Sequence, residues 1–241
     1  MKLDILAFAA HPDDAELSCS GTLLKHISMK EKVGIIDLTR GELGTLGNAD
    51  LRQQETNKAS KIMGLDVREN LSIPDGYFMN TPENQMKIIH VIRKYRPEIV
   101  LCNAIYDRHP DHAKASNLVS DACFYAGLLK IESKHEGKTQ KAWRPKNVYH
   151  YIQDRHITPS FIVDISEYFE KKMEVVLAYK SQFYKGEEEN NDNPKTPISS
   201  KQFLDSIRHR SSELGRTIGV AYGEGFTSER TVGLKNLNQI F

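Results

Sequence analysis

Two short stretches of this chain bring together side chains that bind metals and move protons. The first is Ala10-His11-Pro12-Asp13-Asp14-Ala15-Glu16, and the second is Tyr106-Asp107-Arg108-His109-Pro110-Asp111-His112. Imidazole and carboxylate are the ligands of a catalytic zinc, which takes three protein groups and keeps one position for water. The candidates are His11, one of Asp13 and Asp14, and one of His109 and His112. Each stretch supplies ligands and leaves a group over. A spare carboxylate can take a proton from water, and a spare histidine can stabilise developing charge or protonate a leaving group. Together these suit metal-assisted hydrolysis. Two adjacent aspartates cannot point the same way off an extended turn, so one can ligate while the other acts as base; spacing does not say which. An aspartate before a helix is also an ordinary N-cap, and Glu16 suits the positive end of a helix dipole.

The elements that must position these groups follow from hydrophobic patterning. The apolar run from Leu3 to Phe8 predicts a buried strand, and the segment from Leu17 to His26 a helix. A second strand is expected over Lys32–Leu38, followed by a Gly- and Thr-rich loop, then a helix over Ala49–Met63 with Gly64 as its C-cap. A weak third strand is expected over Asn70–Pro74. Thr81 and Pro82 open a helix that runs to about Tyr95, and Pro97–Asn103 is a fourth strand. The helix entered at Pro110 continues through Cys123, and His109 and His112, three apart, share a face if its first turn includes both.

Alternating strands and helices predict an α/β fold, a mostly parallel sheet with helices on both faces, in one domain over residues 1–241. In a doubly wound sheet of order 3-2-1-4-5, strands 1 and 4 are neighbours and their exits diverge at the switch point, where ligands bind. The two clusters, about a hundred residues apart, are thus expected to meet in one crevice. A dinucleotide site is excluded there: the first turn is His-Pro-Asp-Asp, not Gly-x-Gly-x-x-Gly, and its carboxylates would repel a pyrophosphate.

Beyond Cys123, His135–Lys146 reads as a polar surface loop, and Asn147–Ile152 and Phe161–Asp164 as strands. Ser166 is expected to cap a helix running to Tyr179 with Lys172 and Lys180 facing solvent. Lys185–Pro197 reads as a mobile, solvated connector. Phe203–Leu214 is a last helix ended by Gly215, after which Gly219–Phe226 packs back. The composition, 39% hydrophobic and 27% charged with net charge +1, gives no electrostatic case for nucleic acid or an anionic membrane. No apolar run approaches the roughly 20 residues of a membrane span. Cys19, Cys102 and Cys123 are widely spaced in apolar surroundings, as buried thiols of a reducing compartment are. With no signal-peptide pattern at the N-terminus, a cytoplasmic location is expected.

The two motifs together, Ala10–Glu16 after strand 1 and His109-Pro110-Asp111-His112 after strand 4, resemble those of the PIG-L/LmbE family of zinc-dependent N-acetylglucosaminyl deacetylases. The resemblance extends over essentially the whole chain and implies a Rossmann-like fold. It implies His11, Asp14 and His112 as the ligands of one Zn²⁺ per subunit, Asp13 as general base, and His109 as the residue that stabilises the tetrahedral intermediate. It also implies Arg52 as a substrate-binding arginine. A His₂-Asp site with open positions accepts Fe²⁺, Co²⁺ or Mn²⁺ as well. Asp107–His112, Ala178–Phe183 and Tyr222–Phe226 are similar to the branch of the family that acts in bacillithiol biosynthesis. That similarity implies N-acetylglucosaminyl-malate as substrate and a homo-oligomer, commonly a hexamer. Arg108 and Arg144 are assigned to the malate or sugar end, since a guanidinium fork suits a carboxylate. A tyrosine that relatives place within Ile198–Leu204 is replaced by Gln202-Phe203.

Overall fold

The apolar runs lie side by side in one seven-stranded sheet. The computed structural model describes residues 1–183 and 194–239. In chain order its strands are β1 (Ile5–Ala9), β2 (Val33–Asp37), β3 (Val67–Asn70), β4 (Ile99–Cys102), a short hairpin β5 (Lys134–His135) and β6 (Lys138–Thr139), β7 (Asn147–Tyr151), β8 (Phe161–Asp164) and β9 (Gly223–Ser228). The sheet order is β3-β2-β1-β4-β7-β9-β8, with the first five strands parallel and β9 antiparallel to both β7 and β8. The helices are α1 (Asp14–Ser28), α2 (Ala49–Met63), α3 (Pro82–Tyr95), α4 (Pro110–Ala126), α5 (Phe169–Val176) and α6 (Lys201–Thr217).

β1 is buried along its whole length, and its side chains alternate between two cores. Leu6 and Phe8 join a cluster under α3 and α4, whereas Ile5, Ala7 and Ala9 join one under α1, α2, α5 and α6. α1, entered from β1, therefore covers one face, and α4, entered from β4, covers the other. The crevice between their amino ends is the switch point expected from the strand order. α2 begins where Asn48 accepts the Leu51 amide at 2.8 Å, and ends at Gly64, whose φ of 77° suits a residue without Cβ.

Several boundaries differ from the expectation. The third strand lies at Val67–Asn70 and meets the stretch expected for it, Asn70–Pro74, only at Asn70. Its polarity concealed it: the Arg68 guanidinium grips Asp37 through Nε and Nη2, both at 2.8 Å, and reaches Glu16 at 2.6 Å. Ser166 opens a single 3-10 turn instead of capping a long helix, and α5 ends at Val176. Gly215 lies inside α6. A Cβ there would stand 2.7 Å from the Tyr222 amide nitrogen, so this glycine allows β9 to approach and does not end the helix. The segment read as a surface loop carries the exposed β5–β6 hairpin. The three cysteines are buried and free. Residues 185–193 of the expected connector lie outside the described residues. No helix among the described residues is long and apolar enough to cross a membrane.

Lys172 is the sharpest correction. Lys180 is exposed as expected, but Lys172 is fully buried, with Nζ 2.6 Å from Glu224 Oε1. Helical periodicity marks this residue as polar and therefore outward; β9 brings a buried carboxylate to meet it. Glu224 also accepts the Gly21 and Thr22 amides at 3.0 and 2.7 Å, tying β9 to α1. Removing one partner leaves an uncompensated buried charge, so Lys172→Met is expected to lower unfolding free energy by about 3–5 kcal/mol. Urea denaturation checks this, and a loss below about 1 kcal/mol would mean that the pair behaves as a surface bridge.

Candidate active site

The cleft at the carboxyl ends of β1 and β4 is a cavity of ≈ 320 Å³. His11, Asp13, Asp14, His109 and His112 all line it, as do Arg52 and Arg108. The chain leaves β1 in an unusual way. Asp13 holds the N-cap position of α1 with φ 125° and ψ −21°, yet its side chain caps no amide. Such a backbone costs on the order of 1–3 kcal/mol in a residue with a Cβ. Its carboxylate meets Arg52 instead, with Nη1 at 3.1 Å, while the same nitrogen donates to Pro12 O at 2.8 Å. Burial pushes the Asp13 carboxyl up to about 7; the Arg52 guanidinium opposes this and the Asp14 charge adds to it. A carboxylate that titrates near neutrality suits a general base.

Asp14, one residue on, is held in the opposite state. Its Oδ2 accepts the His11 amide at 2.9 Å and Asn103 Nδ2 at 3.0 Å, and its Oδ1 accepts Gln153 Nε2 at 3.1 Å. His112 Nε2 stands 3.0 Å from Oδ1 and His11 Nδ1 3.5 Å from Oδ2. Burial works against the charge, but His112 and His11 outweigh it and hold the carboxyl well below the usual range. The outer nitrogens of both imidazoles are occupied. His11 Nε2 lies 3.0 Å from Asp75 and 3.4 Å from Asp111, and His112 Nδ1 is hydrogen-bonded to Asp107. This is the carboxylate–histidine arrangement that orients metal ligands. Against the effect of burial, Asp111, Asp14 and Asp75 raise His11 well above its ordinary value, and Asp14 with Asp107 raises His112 to about 9.

Nitrogens of His11, His109 and His112 lie within 4.8 Å of one another. With Asp14 between two of them, the donor set fits a divalent ion of the zinc class. His11, Asp75 and Asp111 form a second group with ligand atoms as close together, and Asp14 stands against the rings of His11 and His112. Asp14 is locked by three donors, whereas His109 is half-exposed and its Nδ1 accepts the Asp111 amide at 3.3 Å. That leaves His109 Nε2 to the cavity. Burial, with His11 and His112 nearby, lowers the His109 pKa.

Arg108 stands at the cavity mouth, its Nε 3.2 Å from Asp154 Oδ2. Arg144 is not at the site. Its Nη2 donates to Phe124 O at 2.9 Å and its guanidinium stacks on the Phe124 ring at 4.2 Å, beside the last turn of α4. A helix of 17 residues puts that turn about 25 Å from the entry at His109. The reason is topological: a segment leading into a parallel strand, here β7, lies at the strand's amino end, and the cleft is at the carboxyl end. Four residues that orient the cluster were missed in the sequence: Asp75, Asn103, Asp107 and Gln153. Asn103 and Gln153 follow the ends of β4 and β7, and Asp107 sits within the second motif, so position at strand exits was the available signal. Glu16, expected at the helix dipole, is buried against Arg68 and the Tyr179 hydroxyl. From the incompletely described connector, Thr196 and Pro197 line the cavity, and Phe203 stands where the tyrosine was sought.

Residues 6–123 match the model of the PIG-L family, GlcNAc-PI de-N-acetylase. The diacetylchitobiose deacetylase of Thermococcus kodakarensis is 30% identical over 189 residues, which cover 74% of this chain and 70% of that protein. A probable N-acetyl-alpha-D-glucosaminyl L-malate deacetylase 2 of Bacillus anthracis is 24% identical, over 74% of this chain and 81% of that one. Among solved structures, the conserved protein TT1542 from Thermus thermophilus superimposes with a TM-score of 0.85 and 35% identity, covering 98% of both chains. The match spans both motifs and the strands that carry them, and on this ground the chain belongs to the PIG-L family of N-deacetylases.

Proposed function

We propose that this chain hydrolyses the N-acetyl group of an N-acetylglucosaminyl conjugate, releasing acetate and the free amine, and that the conjugate is N-acetylglucosaminyl-malate. The observation that carries the hydrolytic reading is Asp13: strained and buried in the cavity wall, its carboxylate on Arg52 and one residue from the locked carboxylate of Asp14. His11, Asp14 and His112 would hold the ion, with Zn²⁺ as the proposed occupant. A divalent ion bound there lowers the pKa of water and polarises the amide carbonyl. Asp13 takes the proton from the attacking water and returns it to the departing nitrogen. His109, through Nε2, hydrogen-bonds the oxygen that gains negative charge as the carbonyl becomes tetrahedral. Arg52 uses Nη1 on Asp13 and Pro12, and its other donors are available to a sugar hydroxyl.

The malate end is supported by the guanidinium groups at the cavity and by the B. anthracis relative. The T. kodakarensis relative favours a second reading, a chitobiose substrate. Zn²⁺- and Fe²⁺-loaded protein assayed for acetate release separates the two. The expected result is a higher kcat/KM on N-acetylglucosaminyl-malate than on diacetylchitobiose or N-acetylglucosamine. Faster turnover of diacetylchitobiose would overturn the malate assignment.

A further inference from the structure

Three guanidinium groups line the cavity: those of Arg52, Arg108 and Arg210. Two already have a carboxylate, Arg52 that of Asp13 at 3.1 Å and Arg108 that of Asp154 at 3.2 Å. Arg210, on α6, has none within 4.0 Å among the described residues. Its one hydrogen bond there runs from Nη2 to the backbone oxygen of Asp154 at 3.1 Å. Other buried or ordered arginines of the chain are matched: Arg68 by Asp37 and Glu16, Arg93 by three backbone carbonyls and Ser133, and Arg208 by Glu170. Arg208 and Arg210 are two positions apart on one helix and serve different sides of it. The first pairs with an exposed carboxylate; the second lines the cavity with Leu17, Phe203 and Ile207. Burial draws the Arg210 pKa down, and the more distant Asp154, Asp107 and Glu213 charges only partly offset it.

A half-buried guanidinium that feels the Asp154, Asp107 and Glu213 charges but touches no carboxylate among the described residues is incompletely compensated, and an anion that enters the cavity adds the missing contact. The apolar neighbours thin the competing water, where a charge-assisted hydrogen bond is strongest. The Asp154 carbonyl takes one Nη2 proton, which leaves the Nε, Nη1 and second Nη2 protons as donors, and two protons on one edge of the guanidinium plane match a carboxylate.

We propose that Arg210 is a specificity-determining residue that receives a carboxylate on the non-acetylated part of the substrate. The inference rests on the proposed deacetylase function and deepens it: the preferred conjugates are acidic, and α6, not only the motif arginine Arg108, selects them. Arg108 is already shared with Asp154, so its removal frees an acidic group at the mouth as well as deleting a basic one.

The test compares wild type, Arg210→Gln and Arg210→Lys, each metal-loaded, on N-acetylglucosaminyl-malate and on neutral N-acetylglucosamine. Arg210→Gln is expected to lower kcat/KM on the acidic conjugate by about 10- to 100-fold, mainly through KM. The loss on the neutral sugar should be at least several-fold smaller. Arg210→Lys should recover part of the loss, because charge is retained and the fork is not. Equal losses on both substrates, or no loss on the acidic one, would overturn the proposal. Calorimetric titration with L-malate gives a readout independent of turnover. Weaker malate binding by Arg210→Gln supports the carboxylate site, and unchanged binding refutes it. Should wild type bind malate through Arg210 yet release no acetate, the deacetylase reading would fail while the anion site stood.

Discussion

Asp13→Asn should lower kcat about a thousandfold while the metal content per chain stays that of wild type. The substitution preserves shape and an oxygen for the Arg52 guanidinium, so the turn out of β1 has no reason to change. What it removes is the proposed proton acceptor. His11, Asp14 and His112 keep all their contacts, since none of those contacts runs through the Asp13 side chain. KM should therefore move little compared with kcat. Acetate release under saturating substrate, with metal analysis of the same sample, reads both quantities. Turnover within tenfold of wild type would show that another group takes the proton and that the strain at Asp13 serves only packing.

His112→Ala should act differently: activity should fall with the metal, and added Zn²⁺ should not restore it. The chain is expected to fold nonetheless. Asp14 keeps the Asn103, Gln153 and His11 amide donors, and Asp107 keeps the backbone amides of Asp154 and Arg155 at 3.1 and 2.8 Å. Neither carboxylate is left without hydrogen bonds. Asp107→Asn is the graded companion. It leaves His112, a proposed ligand, in place and loosens its orientation, for which a loss of about 10- to 100-fold in metal affinity is expected. Competition against a chromophoric chelator measures it. If Asp107→Asn abolished folding while His112→Ala did not, Asp107 would be a structural anchor for the loop after β7 and not a support of the site.

Much of this arrangement is legible in the sequence. Apolar runs and helix punctuation predicted β1, β2 and β4, and the bounds of α2 and α3, because buried parallel strands and capped amphipathic helices leave strong local patterns. The order of strands then predicted that residues near 11 and near 110 share a cleft, since β1 and β4 are adjacent and their helices leave to opposite faces. The failures have a common cause. β3 carries Arg68 and Glu69, polar because they pair with distant groups, and α5 turns Lys172 inward because Glu224 arrives from the far end of the chain. No local period encodes a partner that lies tens of residues away. Arg144 failed for want of direction: its residue type suits an anion, but it precedes a strand and therefore stands at the wrong end of the sheet.

By itself the sequence determined which groups could do the chemistry and that two motifs must converge. It left Asp13 and Asp14 as adjacent, chemically identical carboxylates. Tertiary structure separates them physically. One is buried beside a single guanidinium in a strained turn and is driven toward neutrality; the other is gripped by two amides, a backbone N–H and two imidazoles and stays charged. The roles proposed for the two, base and ligand, rest on the set of dipoles and charges around each carboxylate. Those come from β4, α2, α4 and the turn after β7, brought together only when the chain is folded.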